Sequence, residues 1–128
     1  MEQIKFRGKE LNSTEWVYGY YFEYAVGSFI RESQTDGGFE DFKVDPKTVG
    51  QFTGLTDKNG EEIFSGDIVQ KHYNGFSTEF TGVVKYESCS FIAEDISEEF
   101  DDVLHYQSDY IEIIGNIHET PELLTPNP

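Results

Sequence analysis

The sequence predicts a mainly β protein with few short helices, and three observations carry that reading. Short strand-like runs alternate with Gly, Asn, Asp and Pro turn signals along most of its 128 residues. Aromatic residues make up 16 % of the chain, with eleven Phe and eight Tyr against one Met, and such side chains are both core material and strand formers. In Trp16–Ala25, Trp16, Tyr18, Tyr20, Phe22 and Tyr24 stand at every second position, which puts all five on one face of a strand and would scatter them round a helix.

Ile4–Arg7 opens as a strand, and Trp16–Ala25 is the strongest strand in the chain. Its aromatic stripe suits either a buried face or a platform for stacking bases or sugars. With no basic residue between the rings, a buried face is expected. Ser28–Arg31 is a short apolar run before the turn Thr35-Asp36-Gly37-Gly38, and Pro46 restricts Asp45 to extended geometry. Thr48–Thr53 reads as a strand. Asp57-Lys58-Asn59-Gly60 is a hairpin turn between Gln51–Thr56 and Glu61–Phe64, because Asn-Gly tolerates positive φ. Ser65-Gly66-Asp67 turns the chain into Ile68–Tyr73. Phe80–Tyr86, with Gly82 as a bulge or close-approach point, then Ser90–Glu94 and Tyr110–His118 complete the strands.

One helix is expected, at Ser97–Gln107. Ile92, Ile96, Phe100 and Val103/Leu104 recur every three to four residues, Ser97 can cap, and Glu98 and Glu99 favour a helix start. On that helix Asp95, Glu98, Glu99 and Asp102 share one side, opposite Ile96, Phe100 and Val103. The pairs Glu94-Asp95, Glu98-Glu99 and Asp101-Asp102 lie within nine residues. They suit a plain solvated face, a protein-binding face that imitates a DNA backbone, or a Mg²⁺ or Ca²⁺ site.

Charge narrows the function further. The net charge is −16, and residues 86–128 hold eleven acids and no Lys or Arg. Direct nucleic-acid binding, which needs phosphate neutralisation by Lys and Arg, is not expected. A basic protein partner suits this surface. Cys89 is the single cysteine, so an internal disulfide and a cysteine metal cage are excluded. His72, His105 and His118 stand apart from any metal spacing. Asp57–Glu62 lacks the calcium-loop pattern, since Gly60 is fourth and the twelfth position is Ile68. No phosphate loop or nucleophile elbow occurs, and no cofactor is expected. Met1–Arg7 has no signal-peptide h-region and no apolar run reaches a spanning length, so the expectation is a cytoplasmic protein without membrane contact.

The run Gln51-Phe-Thr-Gly-Leu-Thr-Asp-Lys-Asn-Gly-Glu-Glu-Ile-Phe-Ser-Gly-Asp-Ile-Val69 resembles the central signature of the YopX-like family of phage and prophage proteins. Gly82-Val83-Val84-Lys85-Tyr86 and the ending Ile113–Leu124 resemble it too, as do Ile4–Lys9 and Trp16–Gly19 at the front. The resemblance implies a protein of tailed phages and prophages of mainly Gram-positive bacteria, hence the host bacterial cytoplasm. It also implies a β-barrel-like module and self-association into a homo-oligomer, and carries over no catalytic residue. Gly66-Asp67-Ile68-Val69 before Gly82-Val83-Val84 resembles the punctuation of SH3-like barrels, making Gly66, Asp67, Gly82 and Gly115 fold residues rather than site residues.

These readings combine into an N-terminal β segment over residues 1–48, an SH3-like or open β-barrel module over 49–119 and a loose tail over 120–128. The expected function is that of a non-enzymatic accessory protein. Its partner-binding face would be Asp95, Glu98, Glu99, Asp101 and Asp102. The alternatives are a divalent-metal-dependent hydrolase built on the same segment and a structural or assembly factor.

Overall fold

A computed structural model describes residues 5–73, 77–87, 90–95, 101–103 and 111–124. They form eleven strands and two short 3-10 helices, in two compact units, Met1–Phe52 and Thr53–Pro128.

The first unit contains β1 (Phe6–Lys9), β2 (Trp16–Tyr24), β3 (Gly27–Ser33) and β4 (Phe39–Val44), then a 3-10 turn at Pro46–Thr48 and the start of β5 (Gly50–Thr56). The hydrogen-bonded order is β4-β3-β2-β1-β5, antiparallel throughout. The turn before β4 is held by its own side chain: Gly38 N–H donates to Asp36 Oδ1 at 3.0 Å, and Gln34 N–H donates to Gly38 O at 2.8 Å. At Pro46 the Asp45 carboxylate accepts from Lys47 N–H at 3.0 Å, satisfying a donor that a helix start leaves open. Just past β1, Glu10 forms an isolated bridge with Val44 of β4, where Asp45 N–H donates to Lys9 O at 2.9 Å and Leu11 N–H to Lys43 O at 3.0 Å.

Directly opposed residues of an antiparallel pair share a face. Val17, Ile30 and Val44 take the inner face and bury there, with Phe6, Tyr21, Phe42 and Val49 packed against them. The aromatic stripe one residue out of phase takes the other face. Tyr18, Tyr20 and Tyr24 are 40 %, 65 % and 68 % exposed, so the expected buried face is the outward one. The period was legible, but both phases of β2 carry large apolar residues, and Val17 and Tyr21 took the core.

The second unit takes the end of β5, β6 (Glu62–Phe64), β7 (Asp67–Tyr73), β8 (Ser77–Glu87), β9 (Ser90–Asp95), β10 (Asp101–Val103) and β11 (Ile111–Asn116), and closes with a 3-10 turn at Pro121–Leu124. β6 follows β5 in the hydrogen-bonded order of its sheet, and the second sheet runs β10-β9-β8-β7-β11. Ile63, Val69, Val84, Ala93 and Ile111 form the core, joined by Leu55, Phe91 and Ile113. The fold is mainly β, as expected, with its strands in two antiparallel sheets.

Two local expectations change. The helix expected at Ser97–Gln107 is a strand at Asp101–Val103, paired antiparallel with Ile92–Glu94; its remaining residues lie outside the described ones. The pairing satisfies the same backbone groups, and the three-to-four spacing of Ile92, Ile96 and Phe100 did not outweigh it. The register passes Gly82 unbroken, and the irregularities fall at Lys71/His72 and Ile113/Gly115 instead.

Ile30 is fully buried and Tyr20 is not. Ile30→Ala is expected to cost about 2–5 kcal/mol and Tyr20→Ala less than about 0.5 kcal/mol, read as shifts in urea midpoint at constant slope. Equal losses for the two would contradict the assignment of faces.

Candidate functional site

Glu98 and Glu99, of the five acidic residues expected to form a face, lie outside the described residues. Asp95 ends β9 opposite Gly82. Asp101 and Asp102 stand on β10, opposite Glu94 and Ala93. The sheet thus brings Glu94 and Asp101 to one register position at the β10 end of its strand order. The helical side that would have gathered Asp95, Glu98, Glu99 and Asp102 is replaced at 101–103 by strand. Among the described residues, no three His, Cys, Asp or Glu side chains converge as a metal site, and no helix is long and apolar enough to cross a membrane.

The signature residues hold backbone. Asp57 is 4 % exposed. Its Oδ1 accepts from the N–H groups of Asn59 and Glu61 at 2.9 and 3.0 Å, and its Oδ2 from Ile113 N–H at 3.0 Å. Lys58 N–H donates to Ile111 O at 2.9 Å beside it, so one carboxylate shapes the hairpin turn and ties it to β11. Asp67, equally buried, accepts from Phe64 N–H at 2.8 Å across the next turn. Asn116 does the same at the end of β11: Oδ1 accepts from His118 and Glu119 N–H at 3.0 and 2.9 Å, and Nδ2 donates to Glu119 Oε1 at 2.8 Å. Gly115 lies where any Cβ would strike Thr120 Oγ1. These are residues that shape turns.

The outward face of the first unit is chemically different. Phe22 and Phe29 are directly opposed and stack at 5.4 Å with planes 13° apart. Along β2, Tyr20 to Phe22 is 6.4 Å and Phe22 to Tyr24 is 5.2 Å, centroid to centroid. Arg31, opposite Tyr20, lays its guanidinium 3.9 Å from the Phe39 ring centroid and 5.2 Å from that of Phe22. Asp41 fixes it there in a two-point pair, Nε–Oδ1 2.7 Å and Nη2–Oδ2 3.0 Å, the fork geometry that makes Arg–carboxylate pairs directional. At the other end, the Arg7 guanidinium lies 4.4 Å from the Trp16 ring centroid. The close crossing of β2 and β3 depends on Gly19, where any Cβ would strike the Arg31 carbonyl oxygen.

Beside Tyr20 is an open groove of about 370 Å³, lined among others by Lys5, Arg31, Phe39 and the Gly37-Gly38 turn, and by no acidic residue. Arg31 and Lys43 were the residues that sequence reading missed on this face. The signal was available in the register: the tight turn after Tyr24 sets Arg31 against Tyr20, and the next hairpin sets Lys43 against Phe29.

The hydrogen bond from Arg31 holds the Asp41 carboxyl below its usual 3.8, and the same bond raises Arg31. A depressed carboxylate contributes stability above its unfolded pKa and loses it as pH falls through the lowered value, so the pair weakens only in acid below about pH 4. By NMR titration, Asp41 is expected to protonate below an ordinary aspartate, and Arg31→Gln to return it upward. An Asp41 titration unchanged by that substitution would mean the pair does not persist in solution.

The YopX protein family model matches residues 5–125. Among solved structures, the crystal structure of protein EF1440 from Enterococcus faecalis is similar at 28 % identity and a TM-score of 0.57, over 97 % of this chain and 99 % of that one. None of the curated proteins matches.

Proposed function

The chain belongs to the YopX protein family, and from that premise we propose that it is a phage or prophage accessory protein. In this reading it acts without catalysis in the bacterial cytoplasm, by binding a basic protein partner through its acidic C-terminal third. The observation that carries this reading is where the charge falls. Residues 86–128 hold eleven acids and no cation, and Asp101 and Asp102 stand on the strand that ends the second sheet's order. Charged residues on an end strand discourage unwanted strand pairing while leaving an anionic surface that steers a cationic partner. The signature residues support a non-catalytic role, since the carboxylates of Asp57 and Asp67 and the Oδ1 of Asn116 accept from backbone N–H groups. The similar protein from Enterococcus faecalis agrees with a bacterial setting.

Reversing Glu98, Glu99, Asp101 and Asp102 to Lys is expected to move stability by under about 0.5 kcal/mol per exposed position and to abolish recovery of basic proteins from bacterial lysate. Wild-type association should slow as salt rises, because steering is screened beyond roughly 8–10 Å. Identical partners for both proteins would overturn the reading. A melting temperature raised by Mg²⁺, Mn²⁺ or Ca²⁺ in wild type alone would assign the segment to a metal instead.

A further inference from the structure

We propose that the outward sheet face of the first unit binds a short stretch of single-stranded nucleic acid. Bases would stack on Tyr20, Tyr24 and Phe39, with Phe22 supporting them from below, and phosphates would lie against Lys5, Arg31 and Lys43.

Such a platform needs exposed flat rings in a row, and this face has them. Tyr20, Tyr24 and Phe39 are 65 %, 68 % and 60 % exposed, against the expectation that a folded chain buries its large aromatics. Stacking on rings of this kind accepts any base, because every base has a π-face. The Phe22–Phe29 stack and the Arg31–Asp41 pair hold the row in place before any ligand arrives, so little ordering is left to oppose binding.

The second requirement is cations among the rings. Whole-chain charge argues against nucleic acid, yet it does not describe this face. By register, the outward positions of β1 to β4 hold Lys9, Arg31 and Lys43, beside Arg7, which is buried against Trp16. They hold one acid, Asp41, in a chain of 25 acidic and nine basic residues. The groove beside Tyr20 adds Lys5. Three accessible basic residues against one acid, in so acidic a chain, is a charge complement to a polyanion, and the rings stand between those cations in space although not in sequence.

The third is a path. The groove, at about 370 Å³, has Tyr20 and Phe39 in its lining and is within the range of small-ligand clefts. The row then continues past it to Phe22 and Tyr24, farther than a single nucleotide extends. A duplex offers no unstacked bases to such a row.

The test is fluorescence anisotropy of a dye-labelled ten-residue oligothymidylate at ~0.1 M salt. There, charges beyond about 10 Å are screened and repulsion from the acidic C-terminal third is muted. Wild type should bind. Tyr20→Ser, Tyr24→Ser and Phe39→Ser should each weaken binding roughly 5- to 150-fold, the equivalent of ~1–3 kcal/mol per stacked base, with unchanged circular dichroism and melting. Lys43→Glu should weaken it too.

Absence of binding up to ~1 mM protein would overturn the proposal. So would equal binding of the duplex, which would indicate simple charge attraction. Thymidine monophosphate competing as well as the ten-mer would reduce the site to a nucleotide pocket and overturn the extended row. If light scattering shows a wild-type oligomer that Tyr20→Ser dissociates, without oligonucleotide binding, the face belongs to a second copy of the chain.

Discussion

A β-strand has two faces, and the choice of phase in β2 decides the chemistry of the first unit. Pairing Val17 with Gly8 and Tyr21 with Ile30 turns one set of side chains inward and gives the other set to solvent. A slip of one residue would exchange them, burying Trp16, Tyr18 and Tyr20 and exposing Val17. Gly19 guards this register, since β2 and β3 approach too closely there for any side chain. The neighbours inherit the choice: Ile30 and Val44 follow Val17 inward, while Arg31 and Lys43 follow the rings outward.

The turns of the second unit rest on side-chain oxygens that accept from backbone N–H groups. Asp57, Asp67 and Asn116 each satisfy amides that a turn leaves without a strand partner, and a buried amide left unmade costs on the order of 1–3 kcal/mol. This gives the family signature a physical meaning. In this chain its acidic and amide residues supply acceptors where the turns require them.

Much of that was legible in advance. Turn chemistry located the Asp57–Gly60 hairpin and the turn into β7, and strand composition located β2, β8, β9 and β11 within a few residues. What failed were inferences about partners in space. The aromatic stripe of β2 has the same period whichever way it faces, and only competition with Val17 and Tyr21 settles which set is buried. Asp101–Val103 carries helix-compatible spacing, and its strand state depends on Ile92–Glu94 being within reach. The cations beside the rings were invisible for the same reason, since Arg31 is eleven residues from Tyr20 in sequence and directly opposite in the sheet.

The bond from Ile113 N–H to Asp57 joins residues 56 apart in sequence, and it bears on how the chain is made. In the first unit, β2–β3 and β3–β4 are hairpins of neighbouring strands, so most of its pairing can form as soon as those residues leave the ribosome. In the second, β7 pairs with β11, and Asp57 waits for the same strand. Contacts so distant in sequence slow folding, because the intervening chain must be closed before they form. During synthesis the first unit is therefore free to fold while the second still shows an open β7 and an unbonded Asp57, and this interval is when an aggregation-prone strand edge is longest exposed.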